Sequence, residues 1–114
     1  MKERTKAYAN RVVKLCGALP KNWIAQTLGQ QLLRSGTSVG ANYRAVCRAK
    51  SRSDFINKLR IVEEECDESI FWMELLVENH LIQAARLADL MREANEILAI
   101  VVSSAKTARF SIDA

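Results

Sequence analysis

The sequence predicts an all-α protein, an antiparallel up-down four-helix bundle that forms one domain over residues 1–114 and assembles as an oligomer. Alanine, leucine, arginine, lysine and glutamate dominate the composition, and all five favour helices. The single proline and four glycines are too few for a sheet with many tight turns. Apolar residues also recur every three or four positions through four segments, which is the spacing of one buried helical face.

The first predicted helix covers about residues 2–18 and ends before Pro20. Proline lacks an amide hydrogen and disfavours a helical conformation in the residue before it. Asn22 then has the side chain of a helix N-cap and marks the start of the second helix. The apolar positions of the first helix are Tyr8, Val12, Leu15 and Leu19.

The second predicted helix keeps its core spacing through Gly36 and Gly40. This indicates one long helix rather than two helices joined by a loop. The small residues in its middle would let a neighbouring helix approach closely. Its core-facing positions are Ile24, Leu28, Gln31, Ser35, Val39, Asn42, Val46 and Ala49.

The third predicted helix begins at "SRSD", residues 51–54, where a serine oxygen and a carboxylate can cap the free amides of a new helix. Its core positions are Phe55, Leu59, Val62, Cys66, Ser69, Met73, Leu76 and His80. The segment "ENHLIQ", residues 78–83, is the predicted turn into the fourth helix, and a frayed tail is expected over about residues 109–114. The core positions of the fourth helix are Leu87, Leu90, Ala94, Ile97, Val101 and Ala105.

Charge is distributed unevenly, although the formal net charge is only +4. Residues 34–60 contain seven basic residues and one acidic residue, whereas residues 61–80 contain seven acidic residues and no lysine or arginine. Such blocks can create separate positive and negative surfaces. The arginines of the second helix fall within an arc of about 80° on the side away from the core. The predicted nucleic-acid-binding residues are Arg34, Arg44, Arg48, Lys50 and Arg52.

Two other interpretations of this basic stripe stay open. The stripe can be an ordinary solvated face, or the acidic third helix can neutralise it. A guanidinium is a planar fork that suits phosphate as readily as carboxylate, so the sequence alone does not identify its partner.

Polar residues interrupt the core side of the second helix. An amide buried there without a partner, such as that of Asn42, would cost about 1–3 kcal/mol. An antiparallel third helix can bring its middle beside Asn42, which makes two of its glutamates the expected partners. The predicted structural network consists of Ser35, Ser38, Asn42, Glu65 and Glu68.

Ile61, Trp72 and Leu75 lie about 100° from the core side of the third helix. Leaving such side chains in water would forgo about 1.5–3 kcal/mol each. We therefore predict that they form a subunit interface. The alternatives are coverage by a neighbouring helix and an isolated exposed tryptophan, which is common.

The sequence predicts no catalytic residues, no metal site and no cofactor. His80 is the only histidine, and Glu74 and Glu78 precede it by six and two residues instead of the three that a di-iron bundle motif requires. The segment "SGTSVGAN", residues 35–42, lacks the lysine spacing and the preceding strand of a phosphate-binding loop. Three cysteines without a CxxC pair indicate reduced thiols and a cytoplasmic protein. No apolar run reaches the ~20 residues of a membrane span, so no membrane partner is expected.

Residues 32–76 resemble the four-helix-bundle proteins known as 23S rRNA intervening-sequence proteins, some of which are encoded within inserts in bacterial 23S rRNA genes. The resemblance implies an up-down bundle that assembles into a homopentameric ring. It also implies a relationship to accessory proteins of diversity-generating retroelements, whose pentamers bind a reverse transcriptase and nucleic acid through basic surfaces. The chain departs from many relatives at Ala45, where they carry glutamate. The matching residues are Arg34, Ser35, Gly36, Ser38, Val39, Ala41, Asn42, Ser53, Asp54, Phe55, Glu65, Glu68 and Trp72.

These patterns together predict a non-catalytic homo-oligomer, a pentamer according to the resemblance, that binds RNA or DNA through its basic surface. Binding would be driven by counterion release and largely independent of base sequence, because no aromatic stacking platform interleaves the stripe. The alternative is a scaffold or adaptor in which the arginine stripe binds an acidic protein partner.

Overall fold

Four α-helices account for most of residues 1–110, the part of the chain that this computed structural model describes. They are α1 (Lys2–Gly17), α2 (Trp23–Val46), α3 (Arg52–Glu78) and α4 (Ala84–Phe110). Residues 1–110 contain no β-strand, so the predicted all-α class and the number of helices are confirmed. The expected frayed tail falls mainly on residues 111–114, which lie outside the described residues, whereas Arg109 and Phe110 belong to α4. Within residues 1–110, no helix combines the length and the apolar composition needed to cross a bilayer.

α2 begins where the sequence predicts it. The side-chain oxygen of Asn22 accepts hydrogen bonds from the amides of Ile24 at 2.9 Å and Ala25 at 3.1 Å, so the predicted N-cap is confirmed. The helix then continues through Gly36 and Gly40 without a break. The prediction of one long second helix is therefore also confirmed.

α2 ends at Val46, three residues earlier than predicted. Ser51 caps α3 by accepting a hydrogen bond from the amide of Asp54 at 3.0 Å, and the Ser51 backbone is extended, with φ −161° and ψ 169°. Because this cap requires extended backbone, the chain leaves the helical conformation before Ser51. Arg48 therefore lies in the connection and Arg52 is the first residue of α3, so the arginine stripe predicted for a single helix is wrong.

The turn after α3 confirms the predicted break near residues 78–83. His80 has a φ of 58°, in the left-handed region, and its amide donates to the carbonyl of Val77 at 3.0 Å. The next amide, of Leu81, donates to the carbonyl of Leu76 at 2.9 Å. This pair of bonds is a Schellman motif, which satisfies two carbonyls at the end of the helix. His80 is exposed in this turn, so its predicted place in the core is wrong.

The four helices pack in a cycle, in which α1 contacts α2, α2 contacts α3, α3 contacts α4 and α4 returns to α1. The resulting bundle measures 54 × 20 × 20 Å. α1 and α2 approach closely because glycines of α2 face side chains and backbone of α1. The contact points follow opposite orders along the two helices. The facing pairs are Leu19 with Gly29, Val12 with Gly36 and Thr5 with Gly40.

α1 is shorter than the other helices and covers only part of their length. Its first turns lie beside Gly40 of α2 and beside Glu93 and Glu96 of α4. α2 continues six residues beyond Gly40, and α4 continues fourteen residues beyond Glu96. The molecule therefore has one end built by α2, α3 and α4 without α1, which we call the three-helix end.

The core confirms most of the predicted buried positions. Every predicted core residue of α4 is buried, and so are the central six of α3, from Leu59 to Leu76. The prediction is wrong for Ile24, which is 43% exposed. α2 also buries Leu32 and Gly36 outside the predicted core positions, and Gly36 faces Val12 of α1.

A polar contact crosses the centre of the bundle from α1 to α3. The hydroxyls of Tyr8 and Ser69 lie 2.8 Å apart, and both residues are fully buried. Ser69 donates its own hydrogen to the carbonyl of Cys66 at 2.7 Å. Burial raises the pKa of Tyr8 well above its ordinary value, so its phenol stays protonated.

Candidate nucleic-acid interface

A basic cleft lies at the three-helix end, where α2 ends and α3 begins. Its volume is about 540 Å³. Four of the residues around it carry cationic side chains, and the two others are alanines that leave its floor unobstructed. The lining residues are Ala41, Arg44, Ala45, Arg48, Lys50 and Lys58.

The cations of this cleft are largely available to a ligand. Arg44 and Arg48 are exposed, and neither side chain has a hydrogen bond or ion pair with any of residues 1–110. Lys58 is different, because its ammonium lies 2.6 Å from a carboxylate oxygen of Asp54. This hydrogen bond, together with one from the Lys50 amide, holds the pKa of Asp54 below its ordinary value. One carboxylate therefore stands beside four cations, and the cleft is net positive.

The capping of α3 fixes the shape of the cleft. The Asp54 carboxylate accepts from the Lys50 amide at 3.0 Å and from the Lys58 side chain, while its own amide donates to Ser51. These bonds hold the α2–α3 connection against the first turn of α3. An arginine fork near such a fixed backbone can bind a phosphate through two parallel hydrogen bonds.

Arg34 lies outside this cleft, and its guanidinium is paired with carboxylates of α3, so its predicted binding of nucleic acid stays a prediction. One nitrogen, Nη1, lies 3.1 Å from a carboxylate oxygen of Glu65, and the other, Nη2, contacts the carboxylate of Glu68. The middle of α2 lies beside the middle of α3, so the acidic helix engages this arginine, although its side chain is 49% exposed. The alternative of neutralisation by the third helix thus applies to Arg34 but not to Arg44 or Arg48.

Arg52, the last of the predicted binding residues, is exposed at the start of α3. It is not among the residues that line the cleft. The structure therefore brings three of the five predicted binding residues together, namely Arg44, Arg48 and Lys50, and adds Lys58. A sequence signal for Lys58 exists, because it follows the capping carboxylate by four residues, one helical turn.

The predicted polar network is only half present. Glu65 and Glu68 bind Arg34, and Glu68 also accepts a hydrogen bond from the indole of Trp72 at 3.1 Å. Asn42 does not reach either glutamate, because its amide donates to the carbonyl of Ser38 in its own helix at 2.8 Å.

The hydroxyls of α2 are satisfied in the same local way. Ser38 donates to the carbonyl of Arg34 at 2.7 Å, and Ser35 donates to the carbonyl of Gln31 at 2.8 Å. In the interior of a helix, serine and asparagine side chains can hydrogen-bond to the carbonyl one turn back. The expected bond from Asn42 to the glutamates of the third helix is therefore wrong, and Ser35 and Ser38 also bond within their own helix.

The predicted interface residues lie along one side of α3. Ile61 is 44% exposed, whereas Trp72 and Leu75 are half-buried. Phe71, which is also exposed, packs against Trp72 with ring centroids 5.0 Å apart in an edge-to-face arrangement. We call these four residues the α3 ridge.

The three thiols are separate, and none forms a disulfide within residues 1–110. Burial raises the pKa of Cys16 to about 11 and that of Cys66 to about 12, so both remain protonated near neutral pH. Cys47 is exposed at the end of α2. No group of three or more His, Cys, Asp or Glu side chains within residues 1–110 is arranged to hold a metal ion.

Comparisons with known proteins agree with this architecture. A sequence model of the family described as "23S rRNA-intervening sequence protein" matches residues 1–103. A solved structure from Bacteroides thetaiotaomicron, a protein of unknown function from the S23 ribosomal protein family, is 37% identical in sequence and superposes with a TM-score of 0.87. The match covers 93% of this chain and 98% of that one. No curated protein matches the chain.

Proposed function

Because this chain belongs to the 23S rRNA-intervening sequence protein family, we propose that it is a non-catalytic, homo-oligomeric helical bundle that binds nucleic acid through its basic cleft. The bundle is antiparallel and up-down, and the opposite contact orders of α1 and α2 support that arrangement. The resemblance supports a pentamer, and the three unpaired thiols support a cytoplasmic location.

The cleft of Arg44, Arg48, Lys50 and Lys58 is the observation that carries this proposal. The two arginines have no protein partner within residues 1–110, so binding a phosphate breaks no hydrogen bond or ion pair of theirs. Each phosphate that a cation neutralises releases a condensed counterion, which supplies affinity that falls with added salt.

Binding is expected to depend little on base sequence. None of the six residues around the cleft is aromatic, so the cleft offers no ring on which a base can stack. Arginine and lysine side chains at its rim suit phosphate oxygens, and phosphate contacts carry no sequence information directly. Duplexes of different sequence but equal length should therefore bind with similar affinity.

The first test removes two phosphate contacts. Arg44→Gln with Arg48→Gln should weaken binding of duplex DNA and lower the slope of log affinity against log salt by about 1.8. Fluorescence anisotropy at several salt concentrations measures both quantities. A second variant, Ala45→Glu, places a carboxylate in the cleft without removing a cation and should weaken binding as well.

A matched control carries the same change outside the cleft. Ala99 is exposed on α4, so we expect the Ala99→Glu variant to bind DNA like the unmodified protein. Equal loss in Ala99→Glu and Ala45→Glu would show that only net charge matters, which contradicts a role for the cleft. If the unmodified protein ignores RNA and DNA but binds an acidic peptide through Arg44 and Arg48, the adaptor hypothesis replaces this one.

We also propose that the α3 ridge contacts another subunit. Its exposed Ile61 can be changed without disturbing the core, so Ile61→Glu should lower the sedimenting mass. Val102→Glu is the matched control, because Val102 on α4 is exposed to a similar degree, 40%. An unmodified protein that sediments as a monomer, or an Ile61→Glu variant with unchanged mass, would contradict this assignment.

A further inference from the structure

A second basic cleft lies on the side of the bundle between α1 and α4. Its volume is about 350 Å³. Three of the residues around it are cationic, one is acidic, and two leucines form its floor. The lining residues are Arg11, Lys14, Leu15, Arg86, Asp89 and Leu90.

Within residues 1–110, no carboxylate forms an ion pair with a cation of this second cleft, and Arg11 has an electrostatic interaction with Glu93. The side chains of Arg11, Lys14 and Arg86 have no hydrogen bond or ion pair with any of residues 1–110. The one carboxylate of the cleft, that of Asp89, is paired with Arg92 at 2.8 Å.

The next carboxylates along α4 are also engaged. Glu93 and Glu96 both bind the guanidinium of Arg4, at 2.7 Å and 2.9 Å. Arg4 thus pairs with Glu93 and Glu96, the acidic residues of α4 that follow the cleft residues in the sequence. The three cations that line the cleft form no ion pair within residues 1–110, and they outnumber its one carboxylate, so the cleft is net positive.

The two basic clefts lie between different pairs of helices. The helices pack in the cyclic order α1, α2, α3, α4, so the α1–α4 side is opposite the α2–α3 side. The first cleft is lined by α2, α3 and the connection between them, whereas the second is lined by α1 and α4, so the two clefts share no residue.

We propose that the α1–α4 cleft is a second, independent binding site for nucleic-acid phosphates, so that one chain holds two separate segments of nucleic acid. The inference rests on the proposed function. Arg11 and Lys14 stand one turn apart on α1, and Arg86 faces them from α4, so cations line both walls of the cleft. A sugar–phosphate strand passing along the cleft contacts both walls, and no aromatic side chain lines it to select a base.

Lysine footprinting tests the two clefts separately in the full-length protein. Short duplex DNA should protect Lys14 from an amine-reactive reagent, and it should protect Lys50 and Lys58 in the first cleft. Lys106 on α4 lines neither cleft and serves as the internal control that DNA leaves reactive. Mass spectrometry of the digested protein gives the reactivity of each lysine.

Variants then show whether the sites are independent. In Arg44→Gln with Arg48→Gln, protection of Lys14 should persist. In Arg11→Gln with Arg86→Gln, protection of Lys14 should be lost while that of Lys50 persists, and the salt slope should fall by about 1.8. Circular dichroism confirms that each variant keeps its helices.

The outcomes distinguish the two proposals. If Lys14 is equally reactive with and without DNA, the proposal of a second binding site is wrong, whereas the proposed function of the first cleft is unaffected. Lys14 protection that disappears in the Arg44→Gln, Arg48→Gln variant also overturns the second site, because the two clefts would then form one site. Unprotected Lys50 and Lys58 instead contradict the proposed function itself.

Discussion

Tyr8 and Ser69 show how a single polar pair is satisfied inside this core. Ser69 has one hydroxyl hydrogen, and it donates that hydrogen to the carbonyl of Cys66. Tyr8 must therefore be the donor in the 2.8 Å contact between the two hydroxyls. The Tyr8 hydroxyl therefore needs Ser69 as its hydrogen-bond acceptor, whereas Ser69 keeps its bond to the Cys66 carbonyl without Tyr8.

This asymmetry predicts unequal mutational effects. Ser69→Ala leaves the Tyr8 hydroxyl buried without an acceptor and should lower the free energy of unfolding by about 1–3 kcal/mol. Tyr8→Phe should cost less, because Ser69 still donates to Cys66. Urea denaturation of both variants measures the difference. A Tyr8→Phe variant less stable than Ser69→Ala would reverse the assigned direction of the bond.

Local side-chain chemistry was predictable from the sequence, and long-range partners were not. The caps at Asn22 and Ser51 depend only on neighbouring amides, so the sequence alone locates them. The partners of Arg34 lie 31 and 34 residues away, and whether they reach it depends on how α2 and α3 pack. The predicted partner of Asn42 is wrong, because its side-chain amide donates instead to a carbonyl of its own helix.

The close packing of α2 against α1 depends on glycines, which have no side chain. A Cβ atom on Gly36 would lie 2.8 Å from the two methyl groups of Val12, which is fully buried and branched at its own Cβ. A rigid side chain in a packed core cannot move aside cheaply. Gly36 therefore sets the distance between α1 and α2.

Gly36→Ala should lower the free energy of unfolding by about 1–3 kcal/mol, because the added methyl group overpacks the core. The higher helix propensity of alanine should offset about 0.5–1 kcal/mol of this loss. Thermal or chemical denaturation gives the net change. Gly17→Ala is the control, because a Cβ there meets nothing within 4 Å. Combining Gly36→Ala with Val12→Ala should remove the overpacking component. A stabilised Gly36→Ala variant would contradict close packing at this point.

The apolar pattern predicts a helix best where the buried positions of that helix are occupied by large apolar side chains. α4 buries a single stripe, so the predicted core positions of α4 are all buried. α2 lies between α1 and α3, and much of its face towards α1 consists of glycines, which give no hydrophobic signal. The end of α2 was also missed, because the cap of the following helix, and not the apolar spacing, decides where α2 stops.

On the scale of the whole molecule, Arg4 joins the first helix to the last. Its guanidinium binds Glu93 and Glu96 of α4, and the hydrogen bonds from Arg4 hold the pKa of Glu93 below its ordinary value of 4.5. A carboxyl group with a lowered pKa in the folded state stabilises fully above its unfolded pKa. That contribution is lost as the pH falls through the folded value.

Arg4→Gln should therefore be less stable than the unmodified protein at pH 7, and the difference should shrink once the pH falls below 4.5. Urea denaturation at a series of pH values measures this convergence. Arg92→Gln is the control, because within residues 1–110 Arg92 pairs only with Asp89, an exposed neighbour in the same helix. A gap between Arg4→Gln and the unmodified protein that is constant with pH would contradict the link through Glu93.

The three-helix end has a consequence for motion. Backbone amides there lack the cover that α1 gives to the rest of the bundle, so this end should open by local unfolding more readily than the opposite one. Arg44 lies in the last turn of α2 at the three-helix end, and Arg48 lies just after that helix. Lys58, which also lines the cleft, belongs to α3. A phosphate held between the two helices would fasten them together, so occupancy of the cleft and slowed amide exchange at the three-helix end should rise in parallel.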